Sequence, residues 1–289
     1  MATFNEKLQA KWDEGKSVCV GLDSELSKIP HEAHRTGGIH TDIDDWCHYT
    51  LREFNQRIVG ATHDLVCAYK PNLAFYMAHG DKGLLALRDT IEYIRKVAPD
   101  VPVILDAKIA DIGNTNRGYV EMAFEYLDAD AVTVHPYLGE EALQPFLDRK
   151  DKGIIVLCRT SNPGSWEFQD LNVEIHGGMF MLLYKAVAKQ VSERWNANGN
   201  CAVVVGATYP EELAQVRRIV GDMPILIPGI GAQGGDVEAT VKAGMNSRGQ
   251  GMIINSSRGI IFASSGEDFA EVARRETLKL NDLINQYRT

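Results

Sequence analysis

Eight short apolar runs, each running into a polar or charged residue, constrain this chain most. They are 17–22 (SVCVGL), 65–69 (LVCAY), 101–105 (VPVIL), 130–134 (DAVTV), 153–158 (GIIVLC), 201–206 (CAVVVG), 223–227 (MPILI) and 250–254 (QGMII). They are rich in β-branched residues and bounded by Gly, Pro or Asp, as strands are. None alternates with polar residues, so each reads as a strand buried on both faces, the habit of parallel sheets. Helical spacing fills the intervals: Cys47, Leu51, Phe54, Ile58; Leu84, Leu87, Ile91, Ile94; Phe180, Leu183, Val187, Val191; and Leu213, Val216, Val220. Further helices are expected over 235–242 and from about Asp268 to Tyr287. Thr3 and Glu6 form a capping-box signature before Leu8 and Trp12, which adds a helix at the start.

Eight strand–helix units in 289 residues point to a (β/α)8 TIM barrel. The expectation is a single domain over 1–289 with an extra N-terminal helix and long βα loops at 24–43 and 159–176. A doubly wound open sheet is the alternative, because periodicity does not register closure. The formal charge of −9 leaves no basic excess for binding nucleic acid or an acidic membrane. No apolar run approaches the roughly 20 residues of a membrane helix. The start, MATFNEKLQAKWDEG, is too polar for a secretory signal. Five cysteines without CxxC spacing fit a reducing compartment, so a cytoplasmic protein is expected.

Catalytic groups of a barrel gather where its strands end. Just past the runs stand Asp23, Lys70, Asp106, His135, Arg159 with Thr160 and Ser161, Pro228, and Asn255 to Arg258. Taken singly, Asp23 reads as a helix cap and His135 as a structural histidine. The segment Asp106-Ala-Lys108-Ile-Ala-Asp111 is harder to read as scaffold. A lysine between two carboxylates stays protonated, because opposite charge favours the ammonium. Such a group stabilises charge and donates protons. Thr115 follows Asp111 by four residues at the next helix start. After the seventh run, GIGAQGG brings backbone N–H groups toward an anion, with Gln233 within it and the planar fork of Arg258 one loop on. That pattern suits a phosphate and matches neither GxGxxG nor GxxxxGK[ST]. His31, His34 and His40 lie on a polar loop and read as solvated, so no metal is expected.

VGLD at 20–23, AYKPN at 68–72, LDAKIADIGNT at 105–115, RTSNPG at 159–164 and PGIGAQGGD at 228–236 together resemble the orotidine 5′-phosphate decarboxylases, in order and on the matching strands. HPY at 135–137 and the long loops resemble the larger bacterial type. The chain departs at Ile109 and Ala110, where many relatives carry Arg-Gly. The resemblance implies cofactor-free decarboxylation of orotidine 5′-monophosphate to uridine 5′-monophosphate, the last step of pyrimidine nucleotide synthesis. By position, Lys108 would protonate C6 and Asp106 would lie beside the departing carboxylate. Asp23 and Lys70 would bind ribose, with Lys70 also joining the catalytic charged network; Ser161 would contact the pyrimidine, Pro228 and Ile230 its apolar side, and Gln233 and Arg258 the phosphate. Asp111 and Thr115 would reach the neighbouring subunit's site, which implies a homodimer. Two rivals remain: a metal-dependent sugar-phosphate decarboxylase of the same superfamily, with an acidic ligand where Lys70 stands, and a non-catalytic sensor of phosphate ligands.

Overall fold

Alternate residues of each apolar run enter two different cores. One core holds Cys19, Ala68, Ile104, Ala131, Ile155, Ala202, Leu226 and Ile253; the other holds their strand neighbours, among them Val18, Val20, Tyr69, Leu105, Val132, Val156, Val203 and Ile254. The first core fills the inside of a ring of strands and the second seats the helices around it. Each run looks uniformly apolar because neither face meets water.

The computed structural model describes residues 2–34, 43–175, 177–230 and 235–288. Its strands are β1 (Val18–Leu22), β2 (Ala68–Pro71), β3 (Ile104–Ile109), β4 (Ala131–Val134), β5 (Gly153–Arg159), β6 (Asn172–Ile175), β7 (Met179–Leu182), β8 (Cys201–Val205), β9 (Ile225–Pro228) and β10 (Met252–Ser256). Among the described residues eight of these form one parallel sheet in the order β2-β1-β10-β9-β8-β5-β4-β3. Bridges Tyr69–Val103 and Asn72–Asp106 join its two edges, so the sheet closes as a barrel and the open-sheet alternative falls.

The N-terminal helix, Phe4–Asp13, starts at Thr3 in the expected capping box. It stoppers the barrel at the end where the strands begin. Phe4, Leu8 and Trp12 join the inner core, and Trp12 Nε1 donates to the Met252 carbonyl at 2.8 Å. Gly153 makes room for this plug: a Cβ there would stand 2.3 Å from the Phe4 ring. With one mouth sealed, only the mouth at the strand C-termini is left for a ligand.

Two expectations change. Phe180 does not belong to a helix; it lies in β7, which pairs antiparallel with β6 as a hairpin inside the β5 connection. The helix starts only at Leu183, and Phe180 is exposed. Its apolar spacing fits a helix, but the turn at 177–178, with φ of +88° and +75°, sets a hairpin. β2, β3 and β10 also run two to four residues further than their apolar stretches. Pro102, with no N–H to donate, precedes β3, while the pairing continues through the charged residues to Ile109.

Candidate active site

Stepping two residues up each strand from the inner core gives Lys70, Asp106, Thr133, Leu157, Val204, Pro228 and Asn255. All seven line a cavity of about 540 Å³ at the open mouth, together with Asp23, Asn72, Lys108, Ser161, Gln169, Ile230 and Arg258. The last inward layer thus turns polar on β2, β3, β4 and β10 and stays apolar on β5, β8 and β9. On β1 that layer is Gly21, where a Cβ would come within 2.0 Å of Ser257 Oγ, so the strand must lack a side chain there.

Asp106 is the hub. Its Oδ2 accepts from Lys70 Nζ at 2.9 Å, and its Oδ1 accepts from Lys108 Nζ at 2.5 Å and from Thr133 Oγ1 at 2.9 Å. Asp23 Oδ1 stands 3.7 Å from Lys70 Nζ. Burial alone would raise the Asp106 carboxyl, but the two ammonium charges and their hydrogen bonds overcome it and hold the group well below the carboxylate range. Burial likewise works against the Lys70 charge, yet Asp106 and Asp23 hold its ammonium above the ordinary lysine value. Lys70 is 4% exposed and Lys108 is 47% exposed. One ammonium is therefore locked into the floor, and the other reaches up toward whatever fills the cavity.

Asp23 Oδ1 and Asn255 Oδ1 are buried acceptors that receive no hydrogen bond from the described residues. Both line the cavity, and buried acceptors call for donors such as hydroxyls. Pro228 and Ile230 form an apolar wall. Arg258 is exposed at the first turn of the helix Arg258–Ile261, and its guanidinium makes no hydrogen bond or ion pair with the described residues. Its fork is free for an anion. Gln233 lies outside the described residues, as does His40.

Arg159 does not face the cavity. It is 2% exposed, stacks 4.1 Å over Tyr209, and donates to Ser165 Oγ, Gln169 Oε1 and Asp170 Oδ2. It ties down the loop that carries Ser161. Gly206 faces that loop at the end of β8, where a Cβ would stand 2.7 Å from Ser161 Cβ. Asp111 and Thr115 are absent from the cavity lining; Asp111 is half-buried and Thr115 exposed. Near them the exposed large apolar side chains include Ile112, Tyr137 and Leu138. His31 and His34 sit apart on a polar surface hollow, their rings 5.3 Å apart.

Sequence reasoning missed Asn72, Thr133 and Gln169. Thr133 had a signal, as the one polar residue among the four of its strand. Gln169 had none, because the short helix Trp166–Gln169 hides within a long connection.

A family model described as the orotidine 5′-phosphate decarboxylase / HUMPS family matches residues 16–274. The chain belongs to that family. An orotidine 5′-phosphate decarboxylase of Cupriavidus metallidurans is 50% identical over 287 residues, covering 99% of both chains. Among solved structures, Leishmania donovani OMP decarboxylase superposes with a TM-score of 0.80 at 35% identity, covering 98% of each chain. Leishmania donovani UMP synthase gives 0.84 at 37% identity, over all of this chain and 57% of that one.

Proposed function

We propose that this chain decarboxylates orotidine 5′-monophosphate to uridine 5′-monophosphate without a cofactor, with Lys108 as the acid. The observation that carries the reading is the Lys70–Asp106–Lys108 chain of contacts at the cavity floor. In the reaction the C6–carboxylate bond breaks and its electron pair stays on C6. Carbon dioxide leaves, and a proton passes from Lys108 Nζ to that pair, so the product carries a C6–H bond and the neutral amine regains a proton from water. Little resonance relief exists for the pair at C6. An ammonium already fixed beside it stabilises the developing charge without reorganisation. Asp106 keeps the two ammonium groups apart and oriented, and lies beside the departing carboxylate.

Asp23 and Lys70 suit the ribose hydroxyls, Ser161 the pyrimidine, Pro228 and Ile230 its apolar side, and Arg258 with Gln233 the phosphate. Phosphate binding is remote from C6, and its energy is available to organise the loops around the ring. Asp111 and Thr115 do not line their own cavity, which fits a homodimer in which they complete the partner's site. The rival metal-dependent sugar-phosphate chemistry needs an acidic ligand at the end of the second strand. Here that place holds Lys70, whose charge repels a divalent cation.

The test is to follow loss of the orotate chromophore when purified protein meets the nucleotide in excess chelator. Full turnover is expected. Absence of product, or turnover only after a divalent ion is added, overturns the proposal.

A further inference from the structure

We propose that Thr133 is a positioning residue for Lys108: its hydroxyl holds open the β3 bulge from which Lys108 projects into the cavity. The inference rests on Lys108 acting as the acid.

β3 and β4 pair in register at Leu105–Val132 and again at Ile109–Val134. Three residues of β3, 106 to 108, therefore stand opposite the single residue Thr133. A ladder with that mismatch leaves backbone N–H groups without carbonyl partners. Thr133 Oγ1 takes them instead, accepting from Ala107 N at 3.0 Å and Lys108 N at 2.9 Å. It then donates its own proton to Asp106 Oδ1 at 2.9 Å. One donor and two acceptor sites are all that a hydroxyl has, and all three are used. Thr133 is 1% exposed, so water does not compete.

The bulge is what gives Lys108 its direction. Lys108 has φ of +51°, a left-handed conformation that side chains other than glycine adopt only when their surroundings impose it. The two N–H groups caught by Thr133 bracket Ala107 and fix the peptide plane from which the Lys108 φ bond starts, and the same hydroxyl grips the carboxylate that Lys108 Nζ touches. Backbone and side chain of the proton donor are thus referred to a single atom. A regular strand without this clamp has no reason to keep Lys108 left-handed, and the ammonium loses its fixed distance to C6.

Displacement of about 1 Å at a reacting group costs about a hundredfold in rate. Thr133→Val keeps the shape and removes the hydroxyl, so kcat should fall by about that factor. The Kd for uridine monophosphate should stay unchanged, because the ammonium matters most when charge develops at C6. Exchange of the product's C6 hydrogen with deuterated water, followed by NMR, should slow in parallel, since it reports the same proton transfer. Thr133→Ser should restore turnover. Thr133→Ala, which leaves space for a water, is the second variant if the valine form does not fold. Parental kcat in Thr133→Val, a matched loss of kcat and nucleotide binding, failure of Thr133→Ser to restore turnover, or unfolding of both the valine and alanine forms each overturns the proposal. Should the parent itself be inert toward orotidine 5′-monophosphate, the functional reading fails on its own. A crystal structure of Thr133→Val then still decides the clamp: Lys108 kept at positive φ without the hydroxyl refutes it.

Discussion

Replacing Asp106 with Asn removes the charge shared by Lys70 and Lys108 while keeping the side chain's shape. Lys70 bears the consequence. It is 4% exposed, and its remaining acid, Asp23, stands 3.7 Å away against 2.9 Å for Asp106. Breaking a fully buried ion pair costs about 3–5 kcal/mol. Here the cost is reduced, because Asp23 stays and the cavity wets one side of the site. A loss of about 2–3 kcal/mol follows, which lowers Tm by roughly 3–5 °C in a chain of this length. The pH dependence has a definite sign. The Asp106 carboxyl is depressed, so its contribution is fully present above about pH 4, where an unfolded aspartate is ionised. It drains as pH falls toward the lower folded value. Lys70 is raised, so its contribution is present below about pH 10 and lost as pH climbs through the folded value. Circular dichroism melts of parent and Asp106→Asn should therefore differ fully near neutrality, with a gap that narrows below about pH 4. An Asn variant as stable as the parent at neutral pH refutes the reasoning, because burial would then cost as much as the pairing returns.

Lys108→Ala should lower kcat by about a thousandfold or more while uridine monophosphate still binds in calorimetry; near-parental decarboxylation removes Lys108 as the acid. Mixing inactive Lys108→Ala with inactive Asp111→Ala should recover about a quarter of the activity if Asp111 works across a two-fold interface, since half the dimers carry one intact site; no recovery places Asp111 in its own protomer's site or outside catalysis. Arg258→Ala should weaken the nucleotide about 10- to 100-fold and leave the nucleoside unaffected, the signature of a lost charge-assisted contact to phosphate; equal loss for both ligands means Arg258 acts through the loop. All five cysteines are buried, and burial pushes the Cys19, Cys158 and Cys201 thiols up to about 12. Native protein at pH 8 should thus resist iodoacetamide and react only when unfolded, as intact mass will report; rapid native labelling contradicts the burial.

Particular residues mark how far the sequence could be read. Cys19, Ala68, Ile104 and Ile253 announce strands buried on both faces because apolar side chains at consecutive positions admit no wet face. Lys70, Asp106, Lys108 and Arg258 announce a site because charges bordering such strands are costly unless they are used. The capping box at Thr3 and Glu6 is local chemistry, and it formed as read. At Phe180 helix and hairpin compete on equal apolar spacing, and the glycine turn before it settles the matter through backbone sterics.

Composition and periodicity by themselves determined eight parallel strands buried on both faces and the inventory of charged groups at their ends, since burial and charge cost are properties of residue type and order. Closure between β2 and β3, the sealing of one mouth by Phe4, and the bulge that places Lys108 against Asp106 were decided only in three dimensions. Each depends on distances between segments far apart in the chain. The diversion of Arg159 away from the cavity belongs with them: its partners Tyr209, Ser165 and Asp170 come together only after the β5 connection folds back over β8.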